Sequence, residues 1–196
     1  MSTPTSMFTT LLALSSALGL ALTPGCENRV DFEAPAVGEE VGRQYLEAPG
    51  VEFLTAVNCA GGPACVPVSE RWRGRCEALP RVIAEAGALS GSKVADIRHG
   101  QPEFAVNAVC ARLVRPAWRL LLHVRNAPGR AQSEVTLVAL DAAGTEIGRS
   151  VQTVLPGTGF TPLEVQVADD RISSFVLWGM RDAGLAIDDL TFFEHT

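Results

Sequence analysis

The chain has 196 residues, of which 47% are hydrophobic and 19% are charged. This composition excludes an intrinsically disordered chain and suits one globular domain. The formal net charge is −6, from 16 Lys and Arg residues against 22 Asp and Glu residues, which makes nucleic acid a poor partner.

The first 25 residues are predicted to be a signal peptide. Leu11 to Leu22 is an apolar run of 12 residues. It is too short to span a membrane, which needs about 20 residues, and it fits the hydrophobic part of a signal peptide. Thr23-Pro24-Gly25-Cys26 follows, and Gly-Cys after an apolar run resembles a bacterial lipoprotein cleavage site. We therefore predict that Cys26 is lipidated, with plain secretion as the alternative.

The five cysteines support this anchor, because an odd number in an exported protein leaves one thiol over. If Cys26 carries lipid, the other four can form two disulfides in an oxidising compartment. We predict that Cys59 pairs with Cys65 across a short Gly-Gly-Pro loop, and that Cys76 pairs with Cys110. Zinc is the alternative, but the cysteines lack the Cys-x-x-Cys spacing that zinc sites commonly use.

Short apolar segments bounded by turn residues run along the rest of the chain. The predicted strands and apolar stretches lie at residues 30–33, 51–54, 82–83, 94–97, 104–113, 118–125, 135–140, 147–151, 163–167, 172–178 and 185–193. From residue 118 onward apolar and polar residues alternate clearly, as in strands with one buried face. Strands of this length, with turns about every ten residues, predict a β-sandwich. One short helix is predicted at Ser69–Leu79.

The closing segment, from Leu185 to Phe193, carries an unusual carboxylate. Leu190 and Phe192 share one face of the predicted strand, and strict alternation places Asp188 in line with them. A carboxylate on an apolar face costs free energy unless another group neutralises it. The segment is therefore predicted to meet such a group.

An ordered set of short motifs resembles a known family. The motifs are Val30 to Val41, Gly50 to Phe53, Ser90 to Ser92, Leu140 to Gly144 and Ala186 to Phe192. In this order they resemble the galactose-binding-like, jelly-roll domains of exported bacterial proteins, which are relatives of carbohydrate-binding modules. The resemblance implies two facing antiparallel sheets with the first and last strands as neighbours. We predict an all-β jelly-roll sandwich over residues 30–196, a tether over 26–29, and at most one short helix in an inserted segment at 58–80.

Members of that family often hold a structural calcium ion beside the first and last strands. Glu33 would then approach Asp188 and Asp189. Carboxylates brought together raise one another's pKa, and a hard divalent cation relieves their repulsion. We predict a structural calcium site from these three residues, with Asp188 favoured over Asp189. The resemblance adds carbonyl oxygens of the turn Ser90–Ser92 as ligands. The alternative is that the two Asp residues cap a turn.

The densest cationic stretch of this acidic chain is Arg71-Trp72-Arg73-Gly74-Arg75. Arginine forks suit carboxylates and phosphates, and a tryptophan ring offers a stacking face. Tyr45 lies in a loop and is predicted to be an exposed aromatic, whereas Trp118 and Trp178 are predicted to be core residues. The predicted ligand-binding residues are Tyr45, Arg71, Trp72, Arg73 and Arg75, and the alternative for the arginine run is a solvated loop.

The three histidines, His99, His123 and His195, lie in no catalytic motif, and His123 is expected on a solvated face. We therefore predict a non-catalytic, calcium-stabilised binding module that is tethered at the periplasm or cell surface and has a glycan or an envelope protein as its partner. One alternative is a structural or adhesive envelope lipoprotein without a small ligand. A second is a hydrolase that acts on polysaccharide, because two catalytic carboxylates can lie far apart along a chain.

Overall fold

The computed structural model describes residues 25–54, 79–96, 108–179 and 185–195. Strands form the regular structure of these residues, and no helix occurs among them. The helix predicted at Ser69–Leu79 lies outside the described residues. The strands are β1 Cys26–Val30, β2 Val51–Leu54, β3 Arg81–Ala84, β4 Lys93–Asp96, β5 Ala108–Ala117, β6 Arg119–Asn126, β7 Ser133–Leu140, β8 Glu146–Val154, β9 Thr161–Gln166, β10 Ile172–Gly179 and β11 Leu185–Glu194.

The strands form two antiparallel sheets, which confirms the predicted all-β sandwich. Sheet A has six strands: β3, β4, β11, β6 and β9 lie side by side, and β1 also pairs with β11. Sheet B has five strands in the order β2, β5, β10, β7 and β8. Every pairing within the two sheets is antiparallel.

The facing sides of the two sheets form the core. Along β6, Leu120, Leu122 and Val124 are fully buried, whereas the residues between them are only half-buried. This period of two is that of a strand with one face in the core. Phe175 from sheet B and Phe192 from sheet A belong to the same cluster. The alternation predicted from residue 118 onward therefore corresponds to the core-facing and outward-facing residues of β6.

The first strand begins earlier than predicted. β1 pairs with β11 along its whole length, so residues 26–29 are strand and not a tether. The segment that follows is not strand, because Phe32 has a φ of 60° and turns the chain. Its ring lies 6.1 Å from that of Tyr45 and 6.0 Å from that of Phe53 in the core. The prediction that the first and last strands are neighbours is confirmed.

A bulge in β11 decides which face Asp188 lies on. The register against β6 shifts between Asp188 and Thr191, and Asp189 has a φ of 48° in the left-handed region. The extra residue resets the alternation, so Ile187 and Leu190 both belong to the core cluster. Asp188 lies on the outer face of sheet A. The prediction that it shares a face with Leu190 was wrong, because strict alternation does not anticipate a bulge.

The outer face of sheet B carries a buried apolar cluster. Its cluster consists of Leu54, Ala108, Cys110, Val138, Leu140 and Val176, each at most 6% exposed. Cys110 is not a free thiol, and Cys26 is the one free cysteine among the described residues. Because Cys59, Cys65 and Cys76 lie outside those residues, both disulfide pairings stay predictions.

Candidate functional site

The turn between β3 and β4 covers the bulge of β11. The side chain of Asp188 is fully buried and accepts hydrogen bonds from the backbone N–H of Leu89 at 2.7 Å, of Ser90 at 3.2 Å and of Asp189 at 2.8 Å. Burial raises the pKa of Asp188, while the amide donors oppose that rise. Backbone amides are therefore the neutralising group that the sequence requires.

Arg29 of β1 binds the second carboxylate of the bulge. Its Nε and Nη2 donate to Oδ1 of Asp189 at 3.0 and 2.6 Å, and the Ser90 hydroxyl donates to the same oxygen at 2.6 Å. The hydrogen bond with Asp189 raises the pKa of the Arg29 guanidinium. The first strand, the last strand and the turn are thereby joined at one point.

Glu33 binds the far side of the same turn. Its Oε1 accepts from the backbone N–H of Ser92 at 2.8 Å and of Lys93 at 2.7 Å, and the Ser92 bond is the main cause of the lowered pKa of Glu33. Gly91 has a φ of +62°, and a Cβ there would lie 2.4 Å from Cδ of Glu33. Only glycine therefore lets the carboxylate approach this closely without strain.

These contacts do not fit a calcium ion. Calcium takes oxygen ligands, whereas the turn directs N–H groups at Asp188 and Glu33 and the guanidinium of Arg29 at Asp189. Within the described ranges, no group of three or more His, Cys, Asp or Glu side chains is arranged to hold a metal. The calcium site that the sequence predicts rests on the family resemblance alone.

The outer face of sheet A presents a second set of side chains, from β6. We refer to the outward residues of this strand as the β6 row: Arg119, Leu121, His123 and Arg125. At one end, Arg119 pairs with Glu164 at 2.8 Å, and its guanidinium carbon lies 4.7 Å from the centroid of the Phe193 ring. Such cation–π contacts fix the side chain as well as contributing energy.

The other end of the β6 row repeats this arrangement. Arg125 pairs with Glu85 and lies 5.4 Å from the centroid of the Phe160 ring. Arg125 lies six positions after Arg119, which places the two arginine–aromatic pairs about 20 Å apart along the strand. The row is therefore a rigid polar surface with an aromatic group at each end.

His123 lies between these two pairs. In the strand register it is opposite Pro162 of β9 and Asp188 of β11. Its Nδ1 is buried and has no hydrogen-bond partner. The predicted outward orientation is correct, but the side chain is half-buried and not freely solvated. Buried polar atoms almost always find a partner, and this nitrogen has none among the described protein groups.

Trp118 precedes the β6 row and is not the core residue that was predicted. It is half-buried in the bend between β5 and β6. Its ring stacks on His195 at 5.4 Å and lies 6.0 Å from Phe193. The bend between β5 and β6 interrupts the alternation, so the residues that face the core begin only at Leu120. The aromatic residue is evident in the sequence, whereas the bend that turns it away from the core is not.

Of the predicted ligand-binding residues, the structure describes Tyr45 alone. Arg71, Trp72, Arg73 and Arg75 lie outside the described residues. Tyr45 is 6% exposed and packs in the core, so the prediction that it is an exposed aromatic was wrong. The loop folds back because the N–H groups of Gly50 and Val51 both donate to the Tyr45 carbonyl at 2.9 Å.

The burial of Tyr45 predicts an unusual titration. Removal from water, and then the nearby charge of Asp31, raise its pKa to about 12. Tyr45 is the sole tyrosine, so the ultraviolet absorbance of tyrosinate reports on it alone. We expect a midpoint near 12 in the folded protein and near 10 in urea. A midpoint near 10, with the circular dichroism of the native fold retained, would contradict the burial.

No described helix has the length and apolar character that a membrane crossing needs. No protein-family model and no curated protein matches the chain. Fold comparisons do find similar solved structures. The chain is similar to the K2 cleaved adhesin domain of Lys-gingipain, at a TM-score of 0.52 and 11% identity, over 85% of this chain and 99% of that domain.

Two further similar structures are carbohydrate-binding modules by name. The xylan-binding CBM22-1 domain of Paenibacillus barcinonensis Xyn10C matches at a TM-score of 0.40 and 15% identity, over 60% of this chain and 81% of that one. The family 11 module from Clostridium thermocellum matches at 0.43 and 9%, over 87% and 96%. At these identities the likeness concerns the fold alone, and the class that it defines is a β-sandwich domain.

Proposed function

We propose that this protein is a non-catalytic binding module, exported and tethered at the cell envelope, whose β6 row binds a saccharide. The observation that carries the proposal is the half-buried His123 side chain, which lies on the outer face of sheet A between two arginine–aromatic pairs. Binding sites combine a few oriented polar groups with apolar and aromatic surface. A sugar supplies hydroxyls that donate or accept, and C–H faces that pack on rings.

The charges of the row favour a neutral sugar. Arg119 already pairs with Glu164 and Arg125 with Glu85. An acidic sugar would have to displace a glutamate from each arginine, which removes most of the gain from a new ion pair. Neutral hydroxyls can instead bind beside these ion pairs without displacing either partner. The predicted stretch Arg71–Arg75 remains a separate proposal for an acidic ligand.

The two outer faces of the sandwich differ in a way that supports this choice. The apolar cluster on sheet B, which includes Val138 and Val176, is buried. The β6 row on sheet A is partly open: the side chains of Arg119 and Arg125 are 30% and 17% exposed. Oriented polar groups that remain accessible are what a saccharide requires.

A glycan array, first with the wild-type protein and then with two variants, tests the proposal. We expect binding to a neutral glycan, and a loss of about tenfold for His123→Ala, because a lost hydrogen bond and ring contact are worth about 1–1.5 kcal/mol. Arg149→Ala is the control, since Arg149 is exposed on β8 and pairs with Glu146. A silent array contradicts the proposal and favours an adhesive or structural protein, whereas equal binding by His123→Ala contradicts the assignment of the site to the β6 row.

The tether belongs to the same proposal. Cys26 is exposed and begins β1, so a lipid on its sulfur would hold the sandwich directly at a bilayer surface without a linker. We expect the mature protein to begin at Cys26 and to carry acyl chains. Mass spectrometry of the native N-terminal peptide decides this: an unmodified Cys26, or a mature chain that begins elsewhere, points to plain secretion.

A further inference from the structure

The oxygens that a calcium ion would take beside the first and last strands already bind cations of the protein itself. Arg29 donates twice to Asp189, as described above. On the opposite side of the turn, Nζ of Lys93 donates to the carbonyl oxygens of Glu33 at 2.7 Å and Pro35 at 2.9 Å. Backbone carbonyls of this kind are typical calcium ligands, and here an ammonium group occupies two of them.

Three of the remaining carboxylate oxygens bind backbone amides. Asp188 accepts from Leu89, Ser90 and Asp189, and Oε1 of Glu33 accepts from Ser92 and Lys93. To admit calcium, the turn would have to reverse its peptide planes so that carbonyl oxygens replaced these N–H groups. That change would leave a fully buried Asp188 without its amide donors, which is costly.

We propose that Arg29 and Lys93, together with the amides of the turn, take the place of a structural calcium ion, so that the domain neither binds nor requires calcium. The three carboxylates Glu33, Asp188 and Asp189 then hold the turn against both terminal strands through protein groups alone. Because the neutralising charges are covalently part of the chain, this junction does not depend on the calcium concentration of the surroundings.

Thermal melts and metal analysis of the purified protein test this inference. We expect the same unfolding midpoint in millimolar calcium and in EDTA, and no calcium on elemental analysis. Metal that binds only the native state raises the midpoint by mass action. A higher midpoint in calcium, or calcium retained at one equivalent per chain, overturns the proposal. Neither measurement involves a glycan, so the outcome is separate from that of the binding proposal.

Substitutions of Arg29 and Lys93 provide a second test of the inference. Arg29→Ala and Lys93→Met are each expected to lower the midpoint by about 2–4 °C, because each leaves buried or half-buried oxygens without a cation. Arg171→Ala is the control, since Arg171 forms an exposed ion pair with Asp169, and we expect its midpoint to be unchanged. If Arg29→Ala and Lys93→Met behave like this control, the two cations do not have the role proposed for them.

Discussion

Replacing Asp188 by Ala is expected to lower the free energy of unfolding by about 3 kcal/mol, because it removes the acceptor of three backbone N–H groups. A buried donor left unpaired costs about 1–3 kcal/mol. The Asp189 bond is buried and those from Leu89 and Ser90 are partly buried, so water and relaxation of the turn recover part of that sum. In a chain of this size the melting temperature should fall by about 6–12 °C. Urea unfolding followed by circular dichroism measures the change.

Asp141 offers a matched control for this substitution. Its carboxylate also accepts backbone N–H groups, from Ala143 at 2.9 Å and Thr145 at 2.8 Å, but it does so in an exposed turn. Water can replace the acceptor there, so Asp141→Ala should cost less than about 1 kcal/mol. Equal losses for the two variants would contradict the role given to the buried carboxylate of β11.

Replacing Phe192 by Ala is expected to cost about 3–5 kcal/mol, the usual range for a buried phenylalanine. Phe192 is fully buried, lies opposite Leu120 of β6 and belongs to the main core cluster. Its loss leaves a cavity between the sheets at the point where β11 pairs with both β1 and β6. Equilibrium unfolding in urea measures the effect.

The adjacent Phe193 provides the comparison, because it differs from Phe192 in face and not in residue type. Phe193 is half-buried on the outer side, near Trp118 and under Arg119. Phe193→Ala should therefore cost less than half as much as Phe192→Ala. Losses in the reverse order would show that β11 after the bulge faces the other way, which would also displace Phe193 from the end of the β6 row.

Local patterns were sufficient to predict much of the sandwich. The alternation along β6 identified Leu120, Leu122 and Val124 as core residues, and the turn residues of Ser90–Ser92 separated β3 from β4 correctly. These features depend on neighbours within a few residues, where side-chain direction follows directly from the strand period. Sequence alone therefore performs well wherever a strand is regular.

Features that depend on distant parts of the chain were missed. The bulge at Asp189 forms where β11 changes its neighbour from β4 to β1, and nothing in the local alternation marks that position. Tyr45 lies in a loop rich in turn residues, yet its ring is buried because it meets Phe32, which in turn lies against Phe53. Both errors arise from tertiary contacts.

The groups that bind the carboxylates could not be predicted from the sequence either. The predicted alternation of the closing strand indicated that Asp188 needs a neutralising group, and the family resemblance suggested calcium. Whether the turn at Ser90–Ser92 directs carbonyl oxygens or amide N–H groups at a carboxylate depends on the orientation of its peptide planes, which residue identity does not reveal. The β6 row was missed for a related reason: its arginines gain their aromatic and acidic partners from other strands and loops.

NMR mapping of a bound glycan shows directly whether the β6 row of sheet A binds a saccharide. Isotope-labelled protein would be titrated with a neutral glycan that scores on the array, and the shifts of backbone and His123 ring signals would be followed. We expect the largest shifts of these signals on Arg119–Arg125 and on the neighbouring strand Thr161–Gln166. Changes confined to residues 71–75, or a spectrum that no neutral glycan perturbs, would contradict it.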